Sequence, residues 1–181
     1  MKKKLCRWIF RKELEEEYSK LNNSYLRELH RVEAAMEHNE KKHGLMSRIF
    51  LLFPNAEIIG LDKNNNNEEL IVVMDNDAIY LFGERYQGIG GLPRIIFKIN
   101  TKKIDGLEQN YIHIIDVLMV NDNIGNGTVA MKALIKYAKR INAKWIDGRF
   151  SSVDNDHADR RNHYYKKFGF NINGSQIHLD L

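Results

Sequence analysis

Apolar residues recur at intervals of three and four positions from Lys12 to about His43, a stretch without glycine or proline. This spacing places them on one face of an α-helix, so it predicts an amphipathic helix that ends at Gly44. The apolar positions are Leu14, Tyr18, Leu21, Tyr25, Leu29, Val32 and Met36. Because this helix exceeds the usual length in globular proteins, we expect it either to pack across the core or to pair with a second copy as a coiled coil.

After Gly44 the pattern changes to short apolar blocks separated by turn residues. Blocks such as "ELIVVM" and "RIIFKI" are rich in β-branched residues, and their succession predicts an antiparallel meander. The asparagine run from Asn64 to Asn67 supplies turn conformations between two blocks. We therefore predict an N-terminal amphipathic helical extension over residues 1–43 and one domain over residues 44–181.

The last third of the chain alternates between the two periodicities. A helical pattern runs from Thr128 to Ala143, "KWIDGRF" reads as a strand, Asp156 to Phe168 reads as a helix, and the short strands "FNI" and "QIHLDL" follow. Together with the meander this order predicts an α+β fold. Its sheet is mixed but mostly antiparallel, it contains one βαβ crossover, and the long helix precedes it.

Composition narrows the classes of function. Of the 181 residues, 43% are hydrophobic and 29% are charged, which is ordinary for a water-soluble protein, and the net charge is +4. The longest apolar run, Ile49 to Phe53, is too short to cross a membrane. We expect no secretory signal at the N-terminus, and we expect the protein to be cytoplasmic. The single cysteine, Cys6, excludes an intramolecular disulfide and a zinc site built from cysteines.

Two glycines stand where the second helix is predicted to begin, in "NDNIGNGTVAMKAL". Glycines between a strand and a helix let the backbone approach a ligand, and the free N–H groups of the first helical turn favour an anion. Gly125, Asn126, Gly127 and Thr128 would thus form a phosphate cradle. The similar stretch "RYQGIGG" is followed by Pro93 and a strand pattern, so we predict a loop there.

A second motif follows about forty residues downstream, where "HYYKKFGF" ends a predicted helix. With the glycine turn, it makes the chain resemble the GNAT superfamily of acetyl-CoA-dependent N-acetyltransferases. That family carries Gln/Arg-x-x-Gly-x-Gly/Ala at a strand-to-helix turn and a later Phe-Tyr-x-Lys-x-Gly-Phe-like run. The matching residues of the second motif are Tyr164, Tyr165, Lys167, Gly169 and Phe170. The resemblance covers about residues 56–181 and is strongest from Tyr111 to Phe170.

The chain departs from the family pattern in three respects. The loop after Val120 is a few residues shorter than in the family. Asp122 stands where the family has Gln or Arg, and an acidic side chain there would repel a pyrophosphate. The family's two early helices are also not visible between the first strands.

The resemblance implies a GNAT-like fold and an activity. Acetyl-CoA would be the co-substrate, and its acetyl group would pass to a primary amine by direct attack. The pantetheine arm would lie between the strands Tyr111 to Val120 and Lys144 to Phe150. The residues expected to bind acetyl-CoA are Leu118, Met119, Val120, Gly125, Asn126, Gly127 and Thr128.

Acid and base roles follow from the resemblance and from strand periodicity. Tyr165 aligns with the family's usual acid, which protonates the departing thiolate, although a core aromatic is the alternative. For the base we choose Asp116, since a carboxylate buried in an apolar strand has a raised pKa. His113 would lie on the opposite face of the strand by alternation. A hydrogen-bonded structural aspartate, with water as the base, is the alternative.

The stretch "SSVDNDHADRRNHYY" concentrates acidic and histidine residues, and we assign it no metal. Asp, Asn and Ser before a helix are favoured as caps, and carboxylates in the first turn suit the helix dipole. The residues concerned are Asp154, Asp156, His157, Asp159 and His163. Arg160 and Arg161 either bind phosphates or a substrate carboxylate, or form a solvated helix face.

Three hypotheses of function remain at this stage. The leading one is the N-acetyltransferase, acting as a homodimer through residues 12–43. The second is a GNAT-fold protein without catalysis that acts as an interaction module through the N-terminal helix. The third, motivated only by the positive charge and the cluster Lys2 to Lys4, is a nucleic-acid-associated protein, for example one that acetylates an aminoacyl-tRNA. Under the leading hypothesis we expect no nucleic-acid partner.

Overall fold

The computed structural model describes residues 2–121, 123–150 and 158–181. Within these ranges the chain forms three α-helices and eight β-strands, and the strands join in one open sheet. This confirms an α+β fold with a mostly antiparallel sheet and a long N-terminal helix. No helix in the described ranges combines the length and the apolar character of a membrane span.

The N-terminal helix α1 is continuous over Lys2–Leu52. The prediction that it ends at Gly44 is wrong. Glycine inside a helix costs only about 1 kcal/mol relative to alanine, which favourable neighbours can offset. The turns after Gly44 also contain Ile49, which is fully buried. Its packing supports the helix beyond the glycine.

The chain divides into two compact units, Met1–Met46 and Ser47–Leu181. The first unit is helical throughout its described residues. Its apolar stripe is exposed, since Leu14, Tyr18 and Leu21 are 69%, 72% and 70% exposed. Pairs such as Arg11 with Glu15 add ion pairs between positions i and i+4.

The second unit contains the sheet, with the strand order β1-β2-β3-β4-β5-β6-β8-β7. Consecutive strands from β1 to β5 pair antiparallel, as the meander predicts, and β5 with β6 is the parallel pair. The strands are β1 (Glu57–Lys63), β2 (Glu69–Asp75), β3 (Ala78–Phe82), β4 (Arg94–Ile104), β5 (Leu107–Leu118), β6 (Trp145–Arg149), β7 (Asn171–Asn173) and β8 (Gln176–Asp180). The two-residue turn between β4 and β5, Asp105 and Gly106, has positive φ at both residues, as a tight hairpin requires.

Helix α2 (Asn126–Arg140) connects the parallel strands and packs on one face of the sheet. It buries Ala130, Met131, Leu134 and Ala138, and its Tyr137 ring meets Phe97 of β4. Side chains alternate between the two faces of the sheet along β3, so Tyr80 and Phe82 lie on the face opposite to α2. There Phe53, just after α1, stacks on Tyr80 with ring centroids 4.6 Å apart. Helix α3 (Ala158–Lys167) lies against β7.

Candidate functional site

The parallel strands β5 and β6 run side by side only briefly. Their ladder extends from the pair Ile112 and Ile146 to the pair Ile114 and Gly148. Beyond it, β5 stays paired with β4 as far as its last residue, Leu118, whereas β6 stays paired with β8 to its own end. The two strands therefore separate at their carboxyl ends, and a gap opens at the middle of the sheet.

A cavity of about 970 Å³ occupies this gap. Its volume lies at the upper end of the usual range for small-molecule sites. The described residues that line it come from the end of β5, the start of α2, the end of β6 and helix α3. Its basic side chains and histidine are Arg149, Arg160, Arg161, His163 and Lys167, and Asp116 supplies a carboxylate. This excess of positive charge favours an anionic ligand.

The turn before α2, which we call the glycine loop (residues 123–128), lines the cavity. Gly125 caps the helix with φ of +90°. A Cβ atom at Gly125 would lie 2.7 Å from Asn65 Oδ1, so both the backbone conformation and the space require glycine. Helix α2 begins at Asn126, two residues before the predicted start. The Thr128 N–H donates to the Gly125 carbonyl over 3.0 Å, so the candidate anion donors are the N–H groups that precede Thr128. This is the arrangement that binds anions at helix N-termini.

Helix α3 contacts the glycine loop through two hydrogen bonds. The Tyr164 hydroxyl donates a hydrogen bond of 2.8 Å to the Gly127 carbonyl. Lys167 Nζ donates to Thr128 Oγ1 over 3.1 Å. A Cβ atom at Gly127 would lie 3.0 Å from the Tyr164 ring, so close packing of Tyr164 also accounts for this glycine. Burial raises the pKa of the Tyr164 phenol far above its ordinary value, which keeps the proton on this oxygen.

Tyr165, the predicted acid, lies in an aromatic cluster beside the cavity. The residue is only 7% exposed. Its ring centroid lies 5.2 to 5.4 Å from the ring centroids of Phe150, Tyr164 and Phe170. It also lines the cavity. These surroundings suit both a proton donor and an aromatic side chain that only packs in the core. The role of Tyr165 as an acid stays a prediction.

Asp116, the predicted base, lines the cavity but is exposed. The expectation that this carboxylate is buried is wrong. Its Oδ1 atom accepts a hydrogen bond of 2.8 Å from the Val117 N–H. Its role as a base stays a prediction.

A β-bulge also overturns the expectation that Asp116 and His113 lie on opposite faces. In the ladder with β4, Asp116 pairs with Ile96 and Ile114 pairs with Phe97, so Ile115 is an extra residue. His113 pairs with Lys98, two residues from Ile96. Paired residues share a face, so the bulge brings Asp116 to the face of His113. The sequence pattern carried no signal for this extra residue.

His113 belongs to a polar group on the sheet that the sequence did not reveal. Its Nδ1 atom lies 2.5 Å from Asp147 Oδ1 on β6. The other carboxylate oxygen of Asp147 accepts a hydrogen bond of 3.1 Å from the Trp145 indole N–H. These contacts fix the orientation of the imidazole, although His113 itself does not line the cavity. The partners are distant in sequence and meet only because β5 and β6 are neighbours.

The residues predicted to bind acetyl-CoA do not all line the cavity. Leu118 and Met119 line the cavity, together with residues 125–128. Val120 is not among the lining residues, and its carbonyl accepts a hydrogen bond from Asn126 Nδ2. Asp122, where the chain departs from the family pattern, lies outside the described residues.

The acidic stretch before α3 is described only in part. Asp154, Asp156 and His157 lie outside the described residues, so the assignment to helix capping stays a prediction. Asp159 and His163 are on α3. Within the described ranges, no three side chains of His, Cys, Asp or Glu are grouped as a metal site requires.

The competing stretch "RYQGIGG" forms a loop, as predicted, with a short 3-10 turn at Ile89–Gly91 ahead of β4. Its Tyr86 is buried, and the Tyr86 hydroxyl accepts a hydrogen bond of 3.0 Å from Asn121 Nδ2. This loop therefore supports the segment that leads into the glycine loop.

In comparisons with protein-family models, curated proteins and solved structures, none matched the chain.

Proposed function

We propose that the protein is an N-acetyltransferase that transfers the acetyl group of acetyl-CoA to a primary amine. The observation that carries the proposal is the cavity between the diverging ends of β5 and β6, with the start of α2 at its wall. A long ligand with an apolar arm and an anionic end fits such a site. The arm would lie between the strands, and the phosphates would meet the N–H groups of the glycine loop.

The basic side chains of the cavity support the anionic end of the ligand. Lys167 is fixed beside the first turn of α2 by its hydrogen bond to Thr128. Arg160 and Arg161 stand on the first half of α3 and line the same cavity. A guanidinium can bind phosphate oxygens in pairs, so these residues would attract the phosphates of the ligand.

The transfer itself needs a base and an acid. The amine loses a proton to Asp116 or to water, and its nitrogen attacks the thioester carbonyl carbon. A carbon–nitrogen bond forms, and the carbon–sulfur bond breaks as the tetrahedral centre collapses. Tyr165 gives its proton to the departing thiolate and regains one from solvent. No covalent enzyme intermediate is needed, and no cysteine takes part.

Acetyl-CoA should raise the melting temperature of the full chain. A ligand that binds only the folded state stabilises it by about 2.7 kcal/mol at a hundred times its dissociation constant. Differential scanning fluorimetry with acetyl-CoA measures the shift, and release of free thiol in the presence of a panel of primary amines measures the transfer.

The matched pair Gly127→Val and Gly90→Val provides the control. A side chain at Gly127 would press on the Tyr164 ring beside the cradle, whereas nothing lies within 4 Å of a Cβ atom at Gly90. We expect Gly127→Val to lose the shift and Gly90→Val to keep it. No shift of the unmodified protein at millimolar acetyl-CoA would contradict the proposed function.

The exposed stripe of α1 supports a homodimer through residues 12–43, which we propose as the form of the enzyme. A row of exposed apolar side chains on a long helix is typical of a coiled-coil surface. The same stripe supports the second candidate, a protein without catalysis that acts as an interaction module. Binding of acetyl-CoA without transfer to any amine would favour that candidate.

A further inference from the structure

The asparagine run at the β1–β2 turn is in contact with the glycine loop. Asn65 N–H donates a hydrogen bond of 2.8 Å to the Ile124 carbonyl. Asn65 Nδ2 also donates to the Asn123 carbonyl over 3.4 Å. A run that the sequence identifies only as a turn therefore holds two carbonyl groups of the loop.

Asn64 and Asn126 join the same contact from the interior. They are 5% and 1% exposed, and they are the buried polar residues of the described chain. Asn64 Nδ2 donates to Asn126 Oδ1 over 3.2 Å, and Asn126 Nδ2 donates to the Val120 carbonyl over 3.4 Å. A third carbonyl near the loop is held in this way.

The side chain of Asn64 has partners for both its donor and its acceptor atoms. Its Oδ1 atom accepts from the N–H groups of Asn66 and Glu68, and its Nδ2 atom also donates to Glu68 Oε2. Buried amide groups that are fully hydrogen-bonded hold a single orientation, because losing any partner leaves a desolvated polar atom. The network can therefore fix the loop.

The direction of these carbonyls determines where the N–H groups point. In a trans peptide the carbonyl and the following N–H point in opposite directions. The Ile124 carbonyl points at Asn65, so the Gly125 N–H points away from the asparagine run. Glycine allows its flanking peptides to rotate readily, and a rotated peptide would present a carbonyl oxygen to an anion. Fixing the carbonyls prevents this.

We propose that Asn64, Asn65 and Asn126 are positioning residues that keep the carbonyls of Asn123 and Ile124 turned away from the phosphates of the donor. Asn65 holds these two carbonyls directly, and Asn64 and Asn126 fix the asparagine run and the segment that leads into the loop. This rests on the proposed function, since it assigns the cradle to phosphates. The three residues act on the anionic end of the ligand and have no role at the thioester. Their removal should therefore weaken ligands with phosphates and leave ligands without them unaffected.

The test compares CoA with pantetheine, which has the arm and the thiol but no pyrophosphate. Asn64→Ala should weaken CoA binding at least about tenfold and change pantetheine binding less than about twofold. Asn66→Ala is the matched control, because Asn66 is exposed and uses its backbone N–H, which the substitution keeps. It should leave both affinities unchanged. Isothermal titration calorimetry measures the two affinities.

Asn126→Ala provides a second variant if Asn64→Ala fails to melt cooperatively, and the same selective loss is expected. Equal weakening of CoA and pantetheine, or no weakening of either, would overturn the proposal and leave the proposed function intact. Failure of the unmodified protein to bind CoA would instead overturn the proposed function, and this inference with it.

Discussion

Tyr164 and Tyr165 are neighbours on α3, yet their surroundings suit different roles. The Tyr164 hydroxyl donates its hydrogen bond to the Gly127 carbonyl, and burial raises the pKa of this phenol. Tyr164 is therefore poorly suited to give a proton to a thiolate. Tyr165 lines the cavity from within an aromatic cluster. Tyr164 therefore makes the loop contact, and Tyr165 stays the predicted acid.

Replacing each tyrosine by phenylalanine separates the two roles. Tyr165→Phe keeps the ring and removes the acid, so we expect kcat to fall by roughly 10²- to 10⁴-fold with little change in acetyl-CoA affinity. Tyr164→Phe removes one hydrogen bond to the loop, so we expect KM for acetyl-CoA to rise by up to about tenfold, with kcat unchanged. Steady-state kinetics with an amine acceptor found by screening measures both. Unchanged kcat in Tyr165→Phe would assign this residue to packing alone.

The glycine loop could be predicted from the sequence only in part. A strand-to-helix turn with two glycines is a local pattern, and the helix does begin there. The second reason for Gly125, its contact with Asn65, depends on a turn sixty residues earlier, and the β-bulge at Ile115 depends on the partner strand. Local patterns carry neither relation, so the asparagine contact and the shared face of His113 and Asp116 could not be predicted.

Helix α1 shows why a single glycine is a weak signal for a helix end. The strand blocks after it were predicted correctly, because alternation and turn residues reinforce each other over several residues. The end at Gly44 rested on one residue, whose helical cost of about 1 kcal/mol is comparable to the gain from burying one side chain such as Ile49. Tertiary packing therefore determines where α1 ends.

Gly44→Ala should stabilise the helix. Nothing lies within 4 Å of a Cβ atom at Gly44, and alanine favours a helix interior by about 1 kcal/mol. Gly106→Ala is the control, since its site is equally open but has φ of +81°, so the substitution should destabilise the protein. Hydrogen exchange of residues 40–48 and the circular dichroism melting curve measure the effect. Loss of protection in Gly44→Ala would show that the helix does not continue through this position.

The spacing of the exposed apolar stripe indicates what kind of pairing two copies of α1 would form. Leu14, Tyr25 and Met36 recur every eleven residues. An eleven-residue repeat corresponds to about 3.67 residues per turn, which favours a straight or right-handed supercoil over the usual left-handed one. Two copies of the helix could therefore pair along the full stripe without the strong bending that a seven-residue repeat imposes.

The full-length chain should be a dimer, and substitutions on the stripe should separate it. Leu14→Lys with Leu21→Lys places two charges where a second copy would pack, and burying unpaired charges is costly, so we expect a monomer. Asn23→Lys adds a charge on the opposite side of the helix and should leave the dimer intact. Light scattering after size-exclusion chromatography measures the mass of each variant. A monomeric full-length protein would contradict the homodimer, and acetyl-CoA binding would then have to be complete within one chain, as the cavity of the second unit allows.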